Sequence, residues 1–379
     1  MRDLIASSLL FAAVIASGVS GGQTLAQLPA NETVYASGLE GPRGLAFGPD
    51  GTLYVAEAGL GGKTATTGAC AQVPPPIGPY TGGSTARISK IDTAGKRTTL
   101  ASGLPSTVDA MGDVLGVGDV AFLDGKLYAV LAGGGCSHGN PTVPNEIVKV
   151  NLNNGRWTTV ADLSRALVDF PAKYTSRDDY EPDGTWYGMI ADRGKLFTVE
   201  PNHGQVFSVT PEGEVRQTVD ISASQGHIVP TSLVADDGAL YVGNLNLFPI
   251  DPQWAKVMTV AKDILVPNPL PGFDGREEDY RRWKVVSSKA GFTTITSMKI
   301  GPDGLLYVLE LSDAPGFPTP GMGKVIRVKR SGELQEVVRG LVVPTGMAFG
   351  PDGRLYVSNL GAAPGAAGQI LRIDLPAVQ

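Results

Sequence analysis

Glu57, Glu200 and Glu310, together with Asn244 and Asn359, stand at equivalent points of a recurring phrase, two residues beyond a Leu-Tyr-Val-like run. The remaining copy has Leu131 at that point. Arg43 opens the first copy, where the others carry Val117, Trp186, Pro230, Thr296 and Thr345. If the copies surround one axis, three carboxylates, two amides and a guanidinium converge on a single rim. Carboxylate and amide oxygens are the ligands a hard divalent cation such as calcium takes. A cation held there could polarise a carbonyl and orient an attacking water. The same residue types also serve a plainer purpose, because polar strand ends cap sheets, hold water and satisfy neighbouring backbone.

The chain has three histidines, His138, His203 and His227, all in connections on the rim side. Imidazole suits metal ligation and general-base work. It equally serves as an ordinary hydrogen-bonding loop residue. No H-x-H or H-E-x-x-H spacing is present. Gly82-Gly83 and Gly133-Gly134-Gly135 precede neither a helix start nor a P-loop lysine. They fit sharp turns rather than a phosphate cradle.

The phrase itself specifies the elements that position these residues. Clear copies are 44–55 (GLAFGPDGTLYV), 297–308 (SMKIGPDGLLYV) and 346–357 (GMAFGPDGRLYV). Degenerate copies are 118–129 (GDVAFLDGKLYA), 187–198 (YGMIADRGKLFT) and 231–242 (TSLVADDGALYV). Each predicts two antiparallel strands, a and b, around a tight turn, Asp-Gly in five copies and Arg193-Gly194 in the other. A third strand c follows with an Ile/Val-x-Lys/Arg-Ile/Val pattern, as in 87–92 (RISKID) and 146–151 (EIVKVN), and then an outer strand d. Four strands repeated six times predict an all-β fold, a six-bladed β-propeller of four-stranded blades. The sixth unit stops after strand c, whereas 33–42 (TVYASGLEGP) matches the d-strand phrase 99–105 (TLASGLP). The N-terminal strand is therefore expected to complete the C-terminal blade and close the ring.

Composition bounds the rest. Gly (50) and Pro (28) make up about a fifth of the 379 residues, as many short turns require. A net charge of −6, with the signs interspersed, gives no basis for a nucleic-acid partner. Residues 1–26 have the form of a signal peptide, with Arg2 before an apolar stretch and Thr24-Leu25-Ala26 before the cut. Residues 27–379 then form a single propeller domain, exported to the periplasm or the medium, with no membrane span once the signal is removed. Export permits Cys70 and Cys136, the only cysteines, to form a disulfide. Each lies in a long b–c loop, of the first and second blades respectively, so a bridge would tie two neighbouring loops over the funnel. The charged run 267–283 (PNPLPGFDGREEDYRRW) in the fourth blade fits a solvated excursion on the opposite face, with partner binding as its functional alternative.

Four blocks carry a family resemblance: 56–63 (AEAGLGGK), 103–106 (GLPS), 230–245 (PTSLVADDGALYVGNL) and 291–312 (GFTTITSMKIGPDGLLYVLELS). In these the chain resembles the ScyD/ScyE family over nearly the whole mature sequence. The resemblance implies an NHL-like propeller of a kind commonly exported by bacteria, and it brings no catalytic motif. The third copy departs from the family phrase, having Thr185-Trp186-Tyr187-Gly188 where Asn-Pro-Tyr-Gly is expected. The favoured expectation is an exported, monomeric protein binding a small molecule, glycan or protein at its loop-rich funnel face. The alternative is a calcium-dependent hydrolase or lactonase using the rim of Glu57, Glu200, Asn244, Glu310, Asn359 and Arg43. A quinone-dependent redox enzyme would need a basic and aromatic clamp, for which only Arg43 and Trp186 offer themselves.

Overall fold

The computed structural model describes residues 31–262 and 283–377. The segment 1–26 with signal-peptide character lies outside these residues, as does all of the 267–283 run except Trp283. Six antiparallel sheets form a six-bladed propeller. Blade 1 comprises strands Pro42–Phe47, Leu53–Glu57, Thr81–Ile91 and Arg97–Val108, with a short fifth strand Val114–Leu115. Blade 2 runs Val117–Leu123, Lys126–Leu131, Glu146–Val150 and Trp157–Asp162. Blades 3 and 4 begin at Met189–Asp192 and Pro230–Asp236, and blades 5 and 6 at Ile295–Ile300 and Gly346–Phe349. Their first strands neighbour one another in sequence around the axis, and that of blade 6 meets that of blade 1.

Closure follows the expected route. Glu32–Leu39 forms the outer strand of blade 6 and pairs antiparallel with Gly368–Ile373, Glu32 facing Ile373 and Leu39 facing Gly368. The pairing leaves no sheet edge between the two ends of the ring.

The physics of the phrase is clearest in blade 5, GPDGLLYV. A Cβ on Gly301 would stand 2.5 Å from the Tyr307 ring, so only glycine lets that ring lie flat on the turn. Asp303 accepts the Leu305 N–H (3.1 Å) and the Tyr307 hydroxyl (2.8 Å). Gly304 has φ +72°, which a side chain would strain. The tyrosine ring then packs edge-on against the next blade, with Tyr307 5.0 Å from Phe349. Tyr356 meets Phe47 and Tyr54 meets Phe122 in the same way. The repeat therefore encodes the contact between blades as well as the turn within each.

Strand b is buried nearly end to end in every blade, because both its faces meet neighbouring blades. Outer strands are largely exposed; Glu32–Leu39 buries Ala36 and Leu39 while Val34 faces solvent. No helix among the described residues is long and apolar enough to cross a membrane.

Candidate functional site: an acid-lined funnel

The strand-b residues named from sequence are brought to one end of the propeller, and most of them turn towards backbone. The Glu40 N–H and Arg87 Nε donate to Glu57 Oε2 (2.6 and 2.9 Å), and Ser89 Oγ donates to Glu57 Oε1. Glu200 accepts the N–H groups of Thr185 (2.9 Å) and His203 (2.5 Å). Glu310 accepts the Thr293 N–H (2.5 Å) and lies 3.4 Å from Lys324 Nζ. Asn359 accepts the Val342 N–H (2.7 Å), and Asn244 accepts that of Lys256 (2.8 Å). Glu40, Thr185, Thr293 and Val342 all lie where the chain enters a blade from its predecessor. In blades 1, 3, 5 and 6 the side chain at the end of strand b thus works as a latch on that entry, whereas Asn244 holds the start of strand c in its own blade. In blade 2, where strand b ends in Leu131, Asn145 accepts the Gly134 N–H (2.7 Å) and donates to the carbonyls of Asp183 and Gly184. Glu200→Ala leaves two backbone donors without an acceptor, so it is expected to cost roughly 2–4 kcal/mol of stability. A urea midpoint unchanged from wild type would contradict the latch.

Of the residues proposed for the rim, Arg43 alone lines the central cavity. That cavity, ≈ 150 Å³, opens on the face where strands a begin and strands b end. One side is built by three connections and is acidic: Tyr80, Asp109 and Asp113, then Asp179 and Glu181. The other carries Thr231, Thr296 and Thr345 from the starts of strands a, with Val229, Leu245, Phe248 and Leu311 above them.

The acidic wall is held by interlocked loops. Cys70 and Cys136 form the expected disulfide, with Cα atoms 6.3 Å apart, tying the b–c loops of blades 1 and 2. Thr66 Oγ1 donates to the Cys136 carbonyl alongside it (2.5 Å). Two residues on, His138 donates from Nδ1 to the Gly134 carbonyl (2.7 Å) and meets Glu181 Oε2 through Nε2 (3.0 Å). The Tyr80 hydroxyl donates to the other oxygen of Glu181 (3.1 Å), and its ring packs edge-on to His138 at 4.9 Å. Burial raises the Glu181 carboxyl above its usual range, against the pull of His138. For His138, burial disfavours the imidazolium, but the hydrogen bond and charge of Glu181 prevail and hold it above its ordinary value.

Asp109 and Asp113 close a tight hairpin between blades 1 and 2. Asp109 Oδ1 accepts the N–H groups of Met111 and Asp113, both at 2.8 Å. Burial pushes Asp109 up to about 7, against those hydrogen bonds, and Glu181 adds its charge. Asp113 is pushed well above the carboxylate range by burial and by Asp109, against Arg43. Asp179 meets His227 Nε2 through Oδ2 (2.8 Å), and His203 Nε2 donates to the Glu181 carbonyl (2.9 Å). Each of the three histidines therefore bonds a residue of, or next to, the acidic wall. Asp109 Oδ2 and Asp179 Oδ1 have no hydrogen-bond partner in the protein, although the two residues are only 6% and 2% exposed.

These acids sit in irregular connections, 109–113 (DAMGD) and 178–183 (DDYEPD), outside the repeat that guided the sequence reading. The density of acid residues in a connection on the rim face was the available signal. Trp186, named as half of a redox clamp, is fully buried, with its ring 5.3 Å from Phe207. Among the described residues, no group of three or more His, Cys, Asp or Glu could hold a metal ion. Of the rim carboxylates, Glu57 and Glu200 spend both oxygens on protein donors, and Glu310 Oε2, 3.4 Å from Lys324 Nζ, has no hydrogen bond.

No family model matches the chain, and no curated protein matches it. Solved structures do. Regucalcin from Agrobacterium tumefaciens, titled a calcium-binding protein, is 16% identical with TM-score 0.52, covering 92% of this chain and 95% of that one. A Xanthomonas campestris gluconolactonase is 12% identical with TM-score 0.51, covering 91% and 89%. The aldose sugar dehydrogenase of Streptomyces coelicolor, bound to PQQ, is 15% identical with TM-score 0.50, covering 92% and 100%. Three different chemistries on one scaffold leave function to the site. What these likenesses show is the fold, a six-bladed propeller of the kind that lactonases and regucalcin share.

Proposed function

We propose that this chain is an exported propeller of ScyD/ScyE type that binds a small polar molecule in the acid-lined funnel. The observation that carries the proposal is the pair of buried carboxylate oxygens, Asp109 Oδ2 and Asp179 Oδ1, on one cavity and without a protein partner. Buried polar atoms are nearly always satisfied, so two unsatisfied ones on a shared cavity point to a ligand that completes them. The repeat phrases support the family assignment. The disulfide and the signal-like first 26 residues support export.

Calorimetry on a panel of small polar compounds tests the proposal. A compound that binds should lose at least about tenfold in affinity in Asp179→Asn, since a charge-assisted hydrogen bond is worth roughly 1.5–3 kcal/mol. Asp179 Oδ2 faces His227, and the amide oxygen of Asn can stay there. If no compound in the panel depends on Asp179, the funnel is not the binding site.

The second reading, a calcium-dependent hydrolase or lactonase, draws on the acidic wall and on the scaffold shared with a gluconolactonase. It would have to take its ion from Asp109 and Asp179 rather than from the latch residues. Calcium titration of chelator-stripped protein decides between the two readings. Heat that disappears in Asp179→Asn favours the hydrolase, and no heat at millimolar calcium removes it.

A further inference from the structure

We infer that the funnel ligand is an organic cation, a small molecule presenting a primary or secondary ammonium group to Asp109 and Asp179. The inference rests on the funnel being the binding site and goes further by fixing the ligand's hydrogen-bonding sense and charge.

The direction of the wall's own hydrogen bonds supports it. Thr231 donates its hydroxyl proton to the Ile295 carbonyl (2.5 Å), Thr296 to that of Pro344 (3.2 Å) and Thr345 to that of Pro42 (2.6 Å). These bonds stitch blade 4 to 5, 5 to 6 and 6 to 1. Tyr187 donates to the Thr345 carbonyl (3.1 Å), Tyr80 donates to Glu181, and Thr185 donates to Asn202 Oδ1. A hydroxyl has one proton and two lone pairs. With all six protons spent on the protein, these groups can offer the cavity only lone pairs. The unpartnered Asp179 Oδ1 is an acceptor as well, and so is Asp109 Oδ2 once that carboxyl has given up its proton, as it has at pH 8. Arg43 is the one basic side chain on the cavity wall, and its Nη2 already donates to the Val114 carbonyl (2.8 Å).

A wall on which acceptors outnumber donors, the Arg43 guanidinium and the Asn202 amide being the exceptions, selects against ligands that are themselves acceptors. A carboxylate or phosphate would meet like charge. A sugar would find partners for its protons but few for its lone pairs. An ammonium brings only donors and a charge opposite to that of the wall. A quaternary ammonium brings the charge without the donors, so it should bind less well than a primary amine of similar size. The raised carboxyls fit this picture. Asp109 and Asp113 hold protons more tightly than ordinary carboxyls because they are buried near other acids, and an entering cation would replace those protons.

The test is calorimetry at pH 8 on the full mature chain with 1,5-diaminopentane, its bis(trimethylammonium) analogue, 1,5-pentanediol and glutarate. The diamine is expected to bind, with the diol and the quaternary analogue at least about tenfold weaker and glutarate giving no heat. Asp179→Asn should weaken the diamine at least about tenfold. Heat measured in buffers of different ionisation enthalpy should show protons released as the diamine enters. No diamine heat at 10 mM ligand (about the weakest affinity worth calling binding), or a diol that binds equally well, overturns the cation assignment. If another compound then binds with the same dependence on Asp179, the funnel proposal survives that failure. If none does, both fall.

Discussion

Asp109→Asn is expected to stabilise the protein at pH 8 by up to roughly 4 kcal/mol while weakening whatever binds in the funnel. The carboxyl is held near 7 in the folded chain, mainly by burial, against an ordinary value of 3.8. Folding therefore favours its protonated form. Below about pH 4 the group is protonated in both folded and unfolded chains, and its full contribution to stability is present. As pH rises, the unfolded chain gives up the proton first, and the contribution drains away until the folded carboxyl has ionised above 7. A shift from 3.8 to about 7 corresponds to the roughly 4 kcal/mol quoted, at about 1.36 kcal/mol per pH unit. Asparagine keeps an oxygen for the N–H groups of Met111 and Asp113 and removes the charge. Urea melts at pH 4.5, 6 and 8 should give curves that separate progressively as pH rises. Part of the wild-type slope should remain in the variant, since burial also raises Asp113, against Arg43, and Glu181, against His138. Parallel pH profiles for wild type and variant would show that Asp109 is no strained acid. A gain in stability matched by a loss of binding is the usual signature of a functional position.

Losing the Cys70–Cys136 bridge is expected to have an effect of similar size and opposite sign. The bridge closes a loop of sequence separation 66. On the chain-entropy account, that loop is worth about 4 kcal/mol of restricted freedom in the unfolded state. The two loops also carry Tyr80 and His138, the partners of Glu181, so releasing them should loosen the acidic wall as well. The Cys70→Ser/Cys136→Ser double variant should unfold at lower guanidinium concentration than wild type and bind the funnel ligand more weakly. Reductant should bring wild type to the variant's midpoint and leave the variant unchanged. Identical midpoints before and after reduction would mean that the loops are held by their hydrogen bonds alone. Mass spectrometry of a non-reduced digest should recover both cysteines in one linked peptide.

The contrast between these two sites explains what the sequence made legible. The cysteines could be paired because each sits in a long loop and adjacent blades place those loops side by side. Blade number, strand order and the borrowed outer strand were legible for a similar reason: GPDG-x-LYV is a local solution to turn, ring and neighbour contact, and the fold repeats it. The strand-b termini were placed at the correct end of the molecule, but position does not fix what a side chain does there. Glu57 has Arg87 and Ser89 on the adjacent strand and the Glu40 N–H at the blade entry, and it turns to them. Asp109 and Asp179 lie in connections of irregular length, where no periodicity assigns a direction. Their convergence depends on how three loops fold over one another, which neither repeat nor composition records.

Glu32 facing Ile373 also has a consequence for how the chain comes to be folded. That pairing joins opposite ends of the polypeptide, so the ring cannot shut until the last strand of the final blade is available. Until then, blade 6 lacks its outer partner and strand Glu32–Leu39 has nothing to pair with. Contacts of such long range are slow to form, because the intervening chain must be gathered first. The arrangement therefore delays locking until both ends of the ring are available. The same clasp makes the ends the weak point of the finished ring. Removing Glu32–Leu39 would expose the Gly368–Ile373 edge to pairing with other chains, so such a truncation is a route to aggregation.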